Sequence, residues 1–172
     1  MTSKQRQHDV TGRGSLGFAA HDHRKCVNAG LAAAERVCAE KAIRLTPVRR
    51  KTLEILLREH RALGAYAILD QLREAGFGSQ PPVAYRALEF LTDQGFAHKI
   101  ERLNAFVACN LPDEDHSPAF MICRMCDAVA EAQAAPSQGE LSNVARAAGF
   151  KIERTVVEVE GVCPVCADKA QQ

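Results

Sequence analysis

Apolar residues fall on helical spacing through the first half of the chain. From Ala29 to Ile43 the Ala-rich run AGLAAAERVCAEKAI puts Leu31, Ala34, Cys38 and Ala42 on one face of a helix. Thr46 stands at a capping position and Pro47 at a first helical one, so a second helix is predicted from there to about His60, with Val48, Leu53, Ile55, Leu56 and Leu57 as its buried face. A third, AYAILDQLREAG, carries Ala65, Ile68, Leu69 and Leu72 at i, i+3, i+4, i+7 and stops at Gly76. The fourth opens at Pro81-Pro82 and closes at Gly95; Val83, Ala84, Ala87, Leu88, Phe90 and Leu91 share one side, while Tyr85, Arg86, Glu89, Thr92 and Asp93 share the other. FAHKIER and AFVACN then alternate as the two strands of a β-hairpin. Three helices followed by a hairpin make a winged helix-turn-helix.

Past the Pro-flanked acidic stretch 111–118 the pattern changes. A strand AFMIC, a strand near DAVAEA, a helix from Ser137 to Ala148 and a strand FKIERTVVEVEG are predicted. Ser137 and Glu140 have capping-box spacing, and Gly149 ends the helix. The fold class is therefore α+β: a mobile leader over 1–27, a winged-helix domain over 28–110, a hinge over 111–118, and a small mixed α/β domain over 119–172. A sheet with one helix has little core, and units of that size gain stability from a partner or a metal.

Charge sharpens this division. Residues 1–110 hold 17 Lys and Arg against 11 Asp and Glu; residues 111–172 hold 5 against 10. Only the first half has the sign that suits a polyanion. Hydrophobic residues make up 47% and charged residues 25% of the 172, an ordinary globular balance, and no apolar run approaches the roughly 20 residues of a membrane span. Met1 to Gly14 has no apolar signal core, so a cytoplasmic protein is expected.

Seven cysteines point to thiolate or metal chemistry. Cys123 and Cys126 form one C-x2-C pair, and Cys163 and Cys166 form another. Together they offer the four soft ligands of a tetrahedral structural zinc site, provided the sheet closes the 36 residues between them. The competing reading is a redox dithiol at Cys163-Pro164-Val165-Cys166, but no βαβ unit surrounds it. His98, Cys109, His116 and Glu131 gather around the junction of the halves. Each alone is weak, since an isolated His or Glu is more often surface than ligand. Their shared place would let one ion fix the angle between the halves. His21, His23 and Cys26 in the leader have ligand character too, although a solvated polar stretch explains them as well. Cys38 reads as a helix-face residue. There is no nucleophile with an adjacent base, no phosphate-cradling Gly loop and no paired catalytic carboxylates, so an enzyme is not expected.

The runs RLTPVRR and PPVAYRALEFLTDQGFAHKIE, the element AFVAC and the two C-x2-C pairs together resemble the ferric uptake regulator family of metal-dependent repressors, and within it the zinc uptake regulator branch. The resemblance spans about residues 29–168. It implies a homodimer in which 28–110 is a winged-helix DNA-binding domain that binds double-stranded operator DNA and 119–172 is a small mixed α/β dimerisation and zinc-binding domain, and which controls zinc uptake genes. It also implies Zn²⁺ as cofactor, two per monomer. Residue by residue, Cys123, Cys126, Cys163 and Cys166 match the structural zinc ligands. His98, Cys109, His116 and Glu131 match the regulatory zinc site, Tyr85 and Arg86 match the base-reading pair, and Tyr66 matches a DNA-contacting Tyr. Asp70 and Arg73 are candidates for a dimer-to-dimer contact on DNA, with an ordinary surface pair three residues apart as the plainer explanation. A thiolate at Cys109 suits zinc better than iron; an iron- or peroxide-responsive sister regulator and a thiol-based redox protein are the alternatives.

Overall fold

The computed structural model describes residues 18, 23–58, 61–78, 80–112, 117–134, 139–153 and 155–170. Helix α1 (His23–Glu40) begins six residues before the Ala-rich run, so the helix takes in the last five residues of the expected leader. Val27 explains part of the extension, because it lies one turn before Leu31 and packs on the same core. The helix also stops earlier than expected. Ala42 takes a positive φ of 52°, and Ile43 N–H reaches back to the carbonyl of Cys38, which turns Ala42 out to solvent instead of onto the buried face.

Helices α2 (Pro47–Leu57), α3 (Ala65–Glu74) and α4 (Pro81–Asp93) pack with α1 around one core that includes Leu31, Leu53, Leu56, Ile68, Leu72, Leu88 and Leu91. Thr46 holds the N-cap of α2 but makes no side-chain capping bond. On α4 the expected division holds: Ala84, Ala87, Leu88 and Leu91 are buried, while Tyr85, Arg86 and Glu89 are exposed. Gly95, at φ 75°, closes it in a left-handed turn that a side chain would strain.

Strands β2 (Ala97–Ile100) and β3 (Ala105–Ala108) form the hairpin, with Ala97 opposite Ala108 and Ile100 opposite Ala105. A third strand, β1 (Leu63–Gly64), joins β3 on its other side. Two residues carry no alternation, so periodicity could not announce it. This completes a winged helix-turn-helix with a three-stranded wing sheet.

In the second half, β4 (Ser117–Cys123) lies between β5 (Val129–Ala134), antiparallel, and β6 (Val157–Gly161), parallel. The extended run from Phe150 forms a strand only from Val157, where it meets Ala119; the residues before it line a cleft between the halves. Helix α5 (Glu140–Ala147) is capped by Gly139 and starts three residues after the predicted Ser137, which lies outside the described residues. A seven-residue helix, α6 (Pro164–Ala170), follows β6, where no helix is expected from the residue pattern. A second core of Ile100, Val107, Phe120, Ile122 and Val129 draws on both halves, so the hairpin sits directly on the face of the β5-β4-β6 sheet. Among the described residues no helix is long and apolar enough to cross a membrane.

Candidate metal centres

The first centre closes within the second half. Strand β4 delivers Cys123 at its end, and the tight turn through Asp127, at φ 55°, brings Cys126 back beside it. Strand β6 runs parallel to β4 and ends at the same edge, with Cys123 opposite Gly161, so Cys163, just before α6, and Cys166, in its first turn, arrive at the same point. The four sulfurs lie within 4.8 Å of one another. Tetrahedral zinc with Zn–S bonds of about 2.3 Å sets its sulfurs about 3.8 Å apart, and Cys126 and Cys163 stand 3.8 Å apart.

The titration of these thiols also fits a metal. The backbone N–H of Cys163 donates to Cys123 Sγ at 3.3 Å and brings that thiol down to about 6, so it ionises readily. Cys166 goes the other way, held up at about 12 by the sulfurs of Cys126 and Cys163 against it. Thiols this close cannot all ionise unless a cation lies among them. Cys163 and Cys166 are therefore half of a four-sulfur set and not the isolated dithiol of the redox reading.

The second centre is built from both halves. Strand β2 supplies His98, Cys109 follows β3, and β5 supplies Glu131, with their ligand atoms within 4.8 Å of one another. His98 Nε2 is 3.1 Å from Glu131 Oε1, and Cys109 Sγ is 3.8 Å from the same oxygen. Zinc with N, O and S ligands sets its donors about 3.3–3.6 Å apart, and the 3.1 and 3.8 Å separations lie within a few tenths of an ångström of that. Glu131 is a buried carboxylate, 9% exposed, and its other oxygen accepts the N–H of Asn110 at 2.8 Å. The N–H of Leu111 donates to Cys109 Sγ at 3.3 Å, a contact suited to a thiolate. The His98 ring rests against Phe120, centroids 5.4 Å apart, which fixes its direction. His116, the fourth expected member, lies outside the described residues.

Of the leader trio, His21 lies outside the described residues; His23 and Cys26 fall within α1, on backbone alone. Cys38 is in the core, 3% exposed, and burial pushes its thiol up. Tyr66 at the start of α3 and Tyr85 on α4 are 68% and 49% exposed, and Arg86 is exposed beside Tyr85. Asp70 and Arg73 pair with each other at 3.0 Å. Sequence reasoning missed Glu158, whose carboxylate on β6 accepts the N–H groups of Glu101 and Arg102 in the hairpin turn; the alternating VEVE of β6 was the available signal.

Residues 40–160 match the Ferric uptake regulator family. The zinc uptake regulation protein of Escherichia coli (strain K12) is 41% identical over 139 residues, covering 80% of this chain and 81% of that protein. Among solved structures, a zinc uptake regulator complexed with zinc and DNA is 39% identical with a TM-score of 0.80, covering 85% of this chain and 98% of that one. Holo XcZur is 40% identical with a TM-score of 0.73, covering 82% and 99%. The match to a family of regulators agrees with the expectation that the chain is not an enzyme. Sequence, fold and the placement of the cysteines converge, and the chain belongs to the ferric uptake regulator family.

Proposed function

We propose that this protein is a zinc-responsive transcriptional repressor that binds operator DNA as a zinc-loaded homodimer and controls zinc uptake genes. The observation that carries the reading is the convergence of His98 and Cys109 from the DNA-binding half on Glu131 from the other half. His116 is assigned as the fourth ligand, and two zincs are held per chain, one at each centre. Zinc bound at the second centre supplies a doubly positive link that offsets the buried carboxylate and thiolate. Its donor set, which includes a thiolate, favours zinc over iron.

The chain's own residues do the rest. Glu131 anchors the base of the hairpin through Asn110 N–H, and Phe120 orients the His98 ring. With the hairpin so held, α4 presents Tyr85 and Arg86, and α3 presents Tyr66, in a fixed direction. Arg86 is assigned to a guanine edge through N7 and O6, and the tyrosines to the backbone and bases beside it. A second copy covers the face of the β5-β4-β6 sheet turned away from the hairpin, where Met121 and Val159 are exposed, along with Leu141 and Val144 of α5. The likeness to zinc- and DNA-bound relatives supports the reading.

The test is binding to a two-fold symmetric operator fragment across buffered free-zinc concentrations, alongside elemental analysis. The expected result is two zincs per chain, one resistant to mild chelation and one exchangeable, with affinity for DNA rising about 5–150-fold as the exchangeable zinc fills. By linkage, DNA tightens that zinc by the same factor. A rise driven by iron and not by zinc would move the protein to the iron-sensing reading.

A further inference from the structure

The hairpin is gripped at both ends by carboxylates from a single row of the second sheet. The registers place Glu131 on β5, Phe120 on β4 and Glu158 on β6 side by side; Val129, Ile122 and Glu160 form the next row. Side chains alternate along a strand, so all six face the same way, toward the Ile100 and Val107 of the hairpin. Two strand spacings separate Glu131 from Glu158, about 10 Å. Glu131 holds the open end of the hairpin through His98, Cys109 and the N–H of Asn110.

Glu158 holds the other end. Its Oε1 accepts the N–H of Glu101 at 2.7 Å and its Oε2 accepts that of Arg102 at 3.1 Å. The guanidinium of Arg102 also pairs with Glu160 on the same face of β6. The turn closes on itself through Asn104 N–H to the Glu101 carbonyl, which leaves those two successive N–H groups for the carboxylate. A carboxylate that takes two N–H groups, one on each oxygen, fixes direction as well as distance. The apolar core between the two ends already supplies adhesion, but apolar contact is non-directional and leaves the hairpin free to rock on Phe120. The Glu158 contact narrows that freedom.

We infer that Glu158 is a positioning residue for the zinc-sensing centre: by fixing the hairpin turn on β6 it keeps His98 and Cys109 over Glu131 before the metal arrives. The inference rests on the zinc reading of that centre. Zinc then has less of the hairpin left to order, and its affinity carries a smaller ordering cost. Loosening the turn weakens zinc binding at the far end of the hairpin, leaving the four-cysteine centre untouched.

The experiment compares wild type, Glu158→Ala and Glu158→Gln as full chains, by amide hydrogen exchange and by zinc competition against a chromophoric chelator. In Glu158→Ala the amides of Glu101 and Arg102 exchange faster, the exchangeable zinc binds about tenfold more weakly, and the chelation-resistant zinc stays at one per chain. Glu158→Gln keeps one acceptor oxygen and sets an amide against the other N–H, so it falls between. Faster exchange at the turn with zinc affinity unchanged in both variants would overturn the inference. So would faster exchange throughout both halves together with loss of the resistant zinc, which marks a purely structural contact. A wild type with no exchangeable zinc would remove the zinc reading itself, and is told apart because it needs no variant.

Discussion

The two metal centres differ in where their ligands come from. Cys123, Cys126, Cys163 and Cys166 all belong to the second half and meet where two parallel strands end at one edge of one sheet. His98, Cys109 and Glu131 meet only because the hairpin of the first half lies on the sheet of the second. A metal in the first centre closes a loop of chain within a unit that has few fully buried side chains, and so acts on whether that unit folds. A metal in the second acts on the angle between units that each have other contacts. Under the proposed function zinc at either place would have similar coordination chemistry, and provenance of the ligands would decide whether it stabilises or regulates.

The largest effect comes from breaking the first centre. Cys123→Ser and Cys126→Ser are expected to lose the chelation-resistant zinc and to unfold the second half, since zinc binding supplies about 10 kcal/mol of folding free energy in small structural sites; loss of strand signal in circular dichroism checks this.

Breaking the second centre costs less and costs it elsewhere. Cys109→Ser should keep the fold and the resistant zinc, lose the exchangeable one, and remove the zinc-dependent gain in DNA affinity, about 1–3 kcal/mol; mobility-shift titration with and without zinc measures it. If Cys109→Ser unfolds the chain instead, the contrast between the centres is wrong. Arg86→Ala leaves both zincs in place and flattens discrimination at one base pair by about 1–3 kcal/mol, read by competition with singly substituted operators. Smallest is Asp70→Lys, where losing the pair with Arg73 costs about 0.2–0.5 kcal/mol of helix stability. Loss of cooperative DNA binding in that variant would assign the pair to a contact between dimers, and unchanged cooperativity leaves it as an ordinary surface pair.

The helices of the first half were legible because each has its own apolar period and its own stop signal. Leu53, Ile55 and Leu56, then Ile68 and Leu72, then Leu88 and Leu91, are the buried residues that period picks out. The four-cysteine set was legible for a similar reason, since C-x2-C brings two ligands together whatever lies around them. Glu131 was harder. One carboxylate among 21 acidic residues carries no local mark; its place near the junction of the halves singled it out, and the match to the family then supported it. Glu158 carries only the alternation of VEVE, which marks a strand and not a latch, and went unread. The two-residue β1, the late start of β6 and the shift of α5 were not available to periodicity, because each depends on which neighbouring backbone is there to pair with.

Local order outside α6, then, was settled by the sequence alone: which stretches become helices, where Gly95 and Gly149 stop them, which face of each is buried, and which cysteines arrive in pairs. Those are properties of residues within a few positions of one another, where dihedral preference and side-chain period act directly. The tertiary structure decided the rest. It put β6 parallel to β4 so that the cysteine pairs meet, and laid the hairpin across the Glu131–Phe120–Glu158 row so that both of its ends are held. Such contacts join residues 22 to 57 positions apart, as in Cys109 with Glu131 and Glu101 with Glu158. Only packing of the whole chain selects them, because a carboxylate becomes a ligand or a latch through what is folded against it.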